Sequence, residues 1–180
     1  MIGFSPPPKQ AVRKPQTMID ARAFRDTLGR LPTGVSVVTT KSRSGQLDGV
    51  TVGSFGSLSL DPPLVLWSLD KKANCHDAFL AAETFAVNIL AEDQSDLSNI
   101  FASKGERPWA ELEHAPAKET GAPLFQGCCA YLECAMDQQY EGGDHTIFIG
   151  RVLRLEPAVA GRPLLHFGGA YRRLDEDRVG

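Results

Sequence analysis

Residues 128–155 read CCAYLECAMDQQYEGGDHTIFIGRVLRL. Cys128, Ala130, Leu132, Cys134 and Met136 are apolar, and the positions between them include Glu133 and Asp137. A period of two marks a strand with one face in the core and the other outside it. Glu141-Gly142-Gly143-Asp144 has the residues of a hairpin connection, and His145–Leu155 returns as a second long strand. Strands joined by so tight a turn pair antiparallel.

Working outward, the same reading repeats. Phe85–Leu90 and Leu64–Leu69 are apolar strand-like runs, the second suited to a central strand. Val35–Thr40 and Leu47–Val52 are extended, with Ser42–Gln46 as the turn between them. Helical patterns are short. One covers about residues 18–30, where Thr17 and Asp20 form a capping pair and Phe24, Leu28 and Leu31 make one buried stripe that Pro32 stops. Cys75–Glu83 is a second. Asp93–Ser103 is a third, with Leu97, Ile100 and Phe101 on one side. Residues 104–127, with Pro108, Pro116 and Pro123, read as irregular. The expected fold is mainly β with peripheral helices, an antiparallel barrel in preference to a doubly wound sheet. Pro6, Pro7, Pro8 and Pro15 mark residues 1–16 as a disordered or surface-draped tail, which leaves 17–180 as one domain.

Composition narrows the function classes. The 180 residues carry 19 Lys and Arg against 22 Asp and Glu, a net charge of −3, and neither sign forms a block. That argues against nucleic acid as the main partner. No apolar run approaches the length of a membrane helix, and the first residues lack the apolar stretch of a signal peptide. Cys75, Cys128, Cys129 and Cys134 include no Cys-x-x-Cys pair and read as small buried thiols of a reducing cytoplasm. His76, His114, His145 and His166 share no metal-ligand spacing, so no metal site is expected. Gly-x-Gly-x-x-Gly, P-loop and Gly-x-Ser-x-Gly motifs are all missing.

Three clusters could carry chemistry. Gly49–Ser59 (GVTVGSFGSLS) mixes hydroxyl residues with glycines, and could offer N–H and O–H donors to a flat polar ligand or be an ordinary bulged edge strand. Lys71-Lys72-Ala73-Asn74-Cys75 leads into a helix and suits a phosphate, or is a solvated loop. Gly143-Asp144-His145 puts a histidine at a hairpin mouth, free to hold a substrate or to sit on the surface.

The whole chain resembles the short-chain flavin reductases, the reductase components of two-component flavin-dependent monooxygenases. The resemblance rests on Pro32-Thr33-Gly34-Val35, Gly49–Phe55, Ser59-Leu60-Asp61-Pro62-Pro63, Phe85–Leu90, Gln94 and Leu97 ahead of Phe101-Ala102, Gly143–Val152 and Pro163-Leu164-Leu165, in that order, and covers roughly residues 20–174. It implies an FMN-binding split β-barrel, a homodimer, and hydride transfer from NADH or NADPH to FMN or FAD, with reduced flavin passed to a separate monooxygenase.

By the same resemblance, Thr51, Val52, Gly53, Ser54 and Phe55 would line the flavin ring, flanked by Pro32 and Thr33. Ser68, Leu69, Ala73, Asn74 and Cys75 would hold the ribityl chain and phosphate. Phe101, Ala102, Ser103 and Lys104 would close the phosphate side, and His145, Tyr171 and Arg172 would meet the nicotinamide. Three departures stand out. Gly53 replaces a common serine, Cys75 replaces another, and Arg107-Pro108-Trp109 replaces an Arg-Phe pair. The lack of a Rossmann motif agrees, because a nicotinamide stacked on flavin needs none, and the cofactor does the electronic work. Other readings are a flavoprotein of this fold reducing another substrate, or a non-catalytic flavin- or haem-binding module.

Overall fold

The computed structural model describes residues 19–157 and 161–174. The expected tail over 1–16 and the capping role of Thr17 lie outside them. Helix α1 (Ala21–Leu28) is followed by β1 (Thr33–Gly34), β2 (Ser36–Lys41), β3 (Leu47–Val52), β4 (Gly56–Leu60) and β5 (Pro63–Asp70). Helix α2 (His76–Ala81), β6 (Thr84–Ile89) and α3 (Ser95–Ala102) come next. A single 3₁₀ turn at Trp109–Glu111 precedes β7 (His114–Pro116) and β8 (Pro123–Phe125). The long hairpin β9 (Ala130–Gly142) and β10 (His145–Pro157) follows, then β11 (Leu165–Phe167) and β12 (Ala170–Arg172).

Seven strands form one antiparallel sheet in the order β3-β2-β6-β9-β10-β5-β4. Its two edges, β3 and β4, are consecutive in the chain. Laid flat, seven strands would span about 29 Å at roughly 4.8 Å per step. The link from Val52 to Gly56 reaches about 14 Å at most. The sheet must therefore roll until its edges nearly meet. Val38, Val52, Val65, Trp67, Phe85, Val87, Cys134 and Phe148 fill the interior. Trp67 lies stacked on Phe148 at 4.6 Å and edge-on to Phe79 at 5.0 Å. The 128–155 reading is realised: His145 pairs with Gly142, and Gly143 takes the positive φ of 77° that the turn requires.

A second apolar cluster lies outside the barrel. Phe101 of α3 packs with Val35, Val37, Leu90, Phe125 and Leu164. Buried Asn88 holds β8 there: its amide donates to the carbonyls of Val37 (3.1 Å) and Pro123 (3.3 Å), and its Oδ1 accepts from Phe125 N–H (2.9 Å).

Three expectations need correction. The Phe24, Leu28 and Leu31 stripe is not buried. Asp20 caps α1 as read, but Phe24 is 53% and Leu28 54% exposed, because α1 lies outside the barrel and nothing among the described residues covers that face. Glu133, placed on an outward face, is 3% exposed. Its carboxylate accepts from the N–H groups of Lys118, Glu119 and Thr120, so the 118–120 turn folds over that face. Finally, residues 104–127 are not wholly irregular. They hold the 3₁₀ turn and the β7–β8 pair, too short to leave a periodicity in sequence.

Candidate functional site

The site begins where the rolled sheet fails to close. The β3 ladder ends at the Val52–Ser36 pair, and the β4 ladder begins at Gly56–Leu66. Gly53, Ser54 and Phe55 lie outside both. Ser54 bridges the gap: its Oγ accepts from Ser68 N–H at 3.0 Å and donates to Ser68 C=O at 3.1 Å. A side chain thus takes the place of a strand partner at the point where β4 stops covering β5. Beside it, a cavity of about 320 Å³ is lined by Val50–Ser54, Ser68–Asp70, Ala73 and His145. Gly53 faces this cavity and a second one of about 240 Å³ that takes Thr33, Ser98, Ala102, His166 and Tyr171. A Cβ on Gly53 would come within 3.0 Å of Thr33 Oγ1.

The floor is held rigid from two sides. Asp70 shapes the turn into α2, accepting from Lys72 N–H on its carboxylate and from Ala73 N–H on its carbonyl. Lys71 is ion-paired with Glu141 and donates to Gly143 C=O at 2.8 Å. Its own N–H donates to Asp144 C=O at 3.0 Å. These bonds tie the Asp70–Cys75 turn to the β9–β10 hairpin. The Lys71 pairing holds the Glu141 carboxyl below the ordinary range.

His145 stands at that junction and lines the groove with Ser68. Its Nδ1 is 2.8 Å from Asp144 Oδ1. An ionised carboxylate only accepts, so Nδ1 carries the proton and Nε2 is left for a ligand. The His145 ring in turn holds the Asp144 carboxyl below its usual range. On the far wall, the Tyr171 hydroxyl is 2.8 Å from Ser98 Oγ and 3.0 Å from Asn99 Oδ1. This anchors the β11–β12 hairpin on α3.

Thr33, Thr51, Val52, Gly53, Ser54, Ser68, Leu69, Ala73, Ala102, His145 and Tyr171 therefore gather around one groove. Asn74 and Cys75 line a neighbouring cavity. Pro32, Phe55, Ser103, Lys104 and Arg172 line none of these. Phe55 packs on the barrel core, and the Phe101 ring is fully buried in the second cluster, so neither ring is a groove wall. Two hydroxyls read as free donors are engaged: Thr51 Oγ1 donates to Ser98 C=O at 2.7 Å, and Ser54 is paired with Ser68. Lys71, read as a free cation for a phosphate, is held by Glu141.

Sequence reasoning missed His166, Ser98, Asp48 and Trp109 as lining residues. His166 is brought in by pairing with Thr33 across β1 and β11, a contact 133 positions apart with no local signature. Arg107 has a definite role: its guanidinium donates to the carbonyls of Phe101, Ser103 and Gly105, closing the C-terminal end of α3. Burial pushes the Cys75 thiol up, so it is a poor nucleophile. Among the described residues, no three His, Cys, Asp or Glu side chains group closely enough to hold a metal ion, and no helix is long and apolar enough to cross a membrane.

Comparison with known proteins agrees with this architecture. Residues 28–175 match the model of the flavin reductase like domain. The FMN reductase (NADH) SmoA of Agrobacterium fabrum is 43% identical over 155 residues, 86% of this chain and 87% of that protein. The reductase subunit HsaB of a flavin-dependent monooxygenase of Mycobacterium tuberculosis is 39% identical over 167 residues, 89% of this chain and 86% of the relative. The structure of the NADH:FAD oxidoreductase SgcE6 of Streptomyces globisporus, in complex with NAD and FAD fragments, superposes with a TM-score of 0.83 at 39% identity, covering 89% of this chain and 98% of that one. With an antiparallel barrel split at the Ser54 corner and a match over most of its length, this chain belongs to the flavin reductase-like family.

Proposed function

We propose that this chain is an NAD(P)H-dependent flavin reductase whose groove at the split of the barrel holds FMN or FAD beside a nicotinamide. The observation that carries the reading is the Gly53 corner. Its backbone lies outside both ladders, and the absent Cβ leaves room between Thr33 and the groove. That is the kind of surface a flat ring with polar edges can approach closely. The relatives' NADH, FMN and FAD dependence supports the same chemistry.

Bound flavin supplies the electron-accepting ring for a hydride from the dihydronicotinamide. The protein's task is placement, with the two rings about 3–3.5 Å apart and water kept out between them. Val52 and Leu69 give the groove apolar walls, and the backbone of Gly53 and Ser54 offers fixed dipoles where negative charge grows. This role falls to backbone alone, since the Thr51 and Ser54 hydroxyls are already bonded. Ser68, Ala73, Asn74 and Cys75 would meet the ribityl chain and phosphate, with α2 entered at Cys75 without a side-chain cap. His145, fixed in one tautomer by Asp144, would hold the nicotinamide through Nε2.

The exposed side chains of Ile19, Phe24, Leu28 and Leu31 fit a homodimer contact around α1. A separate monooxygenase would receive the reduced flavin, as the name of the mycobacterial relative suggests. The four free cysteines suit a reducing cytoplasm. The test is the rate of NADH oxidation as free FMN or FAD is added. A reductase accelerates with flavin concentration. NADH oxidation that no added flavin changes would contradict the proposal.

A further inference from the structure

Lys71 grips the hairpin mouth at both peptide groups that flank Asp144. Its Nζ donates to Gly143 C=O at 2.8 Å, and its N–H donates to Asp144 C=O at 3.0 Å. The ion pair with Glu141 anchors the same ammonium on β9. With both flanking peptides held, the Asp144 backbone is fixed, and its carboxylate is fixed with it. That carboxylate is the group bonded to His145 Nδ1 at 2.8 Å. A chain of contacts thus runs from Lys71 through Asp144 to the orientation of the His145 ring. Behind it, His76 Nε2 lies 3.0 Å from the hydroxyl of buried Thr146, which holds the other neighbour of His145 to α2.

The other end of this chain is the turn that leads into α2. Lys72 N–H bonds the Asp70 carboxylate at 2.8 Å, Ala73 N–H bonds Asp70 C=O at 2.9 Å, and His76 N–H bonds Ala73 C=O at 3.0 Å. So closely bonded a turn moves as a unit, and Lys71 moves with it. Asp70 and Ala73 line the same groove as His145, and Asp70 pairs with His145 across β5 and β10. A phosphate that settles on Ala73–Cys75 would therefore settle Lys71 and, through it, the Asp144–His145 pair.

We infer that Lys71 is a positioning residue that passes the state of the phosphate turn to His145, so that a flavin carrying its phosphate draws in nicotinamide more tightly than the same ring without one. The inference rests on the flavin reading of the groove. Coupling between two sites is reciprocal, so bound nicotinamide tightens the hold on the flavin phosphate by the same factor.

FMN and riboflavin differ by the phosphate alone, and their rings stack on nicotinamide alike. The test is anaerobic stopped-flow reduction of each by NADH, with protein in excess so that all flavin is bound. The readout is the NADH concentration that gives half the maximal rate. In the wild type it is expected to be about fivefold lower with FMN than with riboflavin, at the low end of common site–site couplings. In Lys71→Met, which keeps the stem and loses the donors, the FMN value should rise to that of riboflavin, while the riboflavin value stays within about twofold of wild type. A general loosening of the fold would raise both values together. Equal values for the two flavins in the wild type, or a Lys71→Met variant that keeps the difference or raises both alike, would overturn the coupling while leaving the groove a flavin site. Reduction of neither flavin would overturn the groove reading itself, and this inference with it.

Discussion

Ser54→Ala is the substitution that probes the split most directly. It removes one hydroxyl and with it two hydrogen bonds, of 3.0 and 3.1 Å, to the backbone of Ser68. At about 1 kcal/mol net for each bond, the loss has a ceiling of about 2 kcal/mol. Ser54 is solvent-exposed, so water can re-satisfy part of what is lost, and the expected cost is about 1 kcal/mol. With a urea slope of about 2 kcal/mol/M, that shifts the denaturation midpoint down by about 0.5 M, with the slope itself unchanged. The same loss frees the Gly53–Phe55 corner from β5, and flavin affinity should fall by about fivefold, the factor that 1 kcal/mol commands. Ser57→Ala on the neighbouring edge strand is the control. Its hydroxyl is exposed and bonds nothing among the described residues, so both quantities should hold. An unmoved midpoint and an unmoved flavin dissociation constant in Ser54→Ala would refute the claim that this side chain closes the ladder.

Two further outcomes follow from the core. In Gly150→Ala the new methyl would sit 2.7 Å from Phe85 Cε1 and 3.1 Å from Cys134 Cβ, inside a barrel where Phe85 has no room to move. Overpacking of this kind costs about 3 kcal/mol, and in a urea-denaturation double-mutant cycle Phe85→Leu should recover part of it. Burial pushes the Cys128 and Cys134 thiols up to about 12 from the ordinary 9.0. The folded chain therefore keeps protons that the unfolded chain releases. These thiols' contribution is intact below pH 9 and is lost as pH rises from there toward 12. Urea midpoints should fall between pH 9 and pH 11, and less steeply in a Cys128→Ala, Cys134→Ala double variant; equal slopes would refute the assignment.

Much of the frame was legible in the chain. The β9–β10 hairpin announces itself through period-two alternation and Gly142-Gly143, and Asp20 caps α1 as its residue type predicts. The errors share one physical source. Local pattern reports which side chains are apolar, not what covers them. Phe24, Leu28 and Leu31 have helical spacing yet face outward. Glu133 is polar yet buried, because a turn fifteen positions upstream brings its N–H groups to it. At the site, the family resemblance pointed to Thr51, Gly53, Ser68 and His145, which line one groove. It could not reveal that Ser54 and Lys71 were already engaged within the fold, since Ser68 lies fourteen and Glu141 seventy positions away. Asp48 carried no motif and Trp109 stood only as a departure from an Arg-Phe pair, and it is the folded cavity that makes them neighbours.

Anaerobic stopped-flow measurement of flavin reduction by NADH, in wild type and in His145→Ala, tests the central claim most directly. Removing the ring that Asp144 orients should slow hydride transfer or raise the NADH concentration needed for half-maximal rate, with flavin affinity changed little. Single-turnover kinetics identical to the wild type at every NADH concentration would contradict the placement of the nicotinamide at His145.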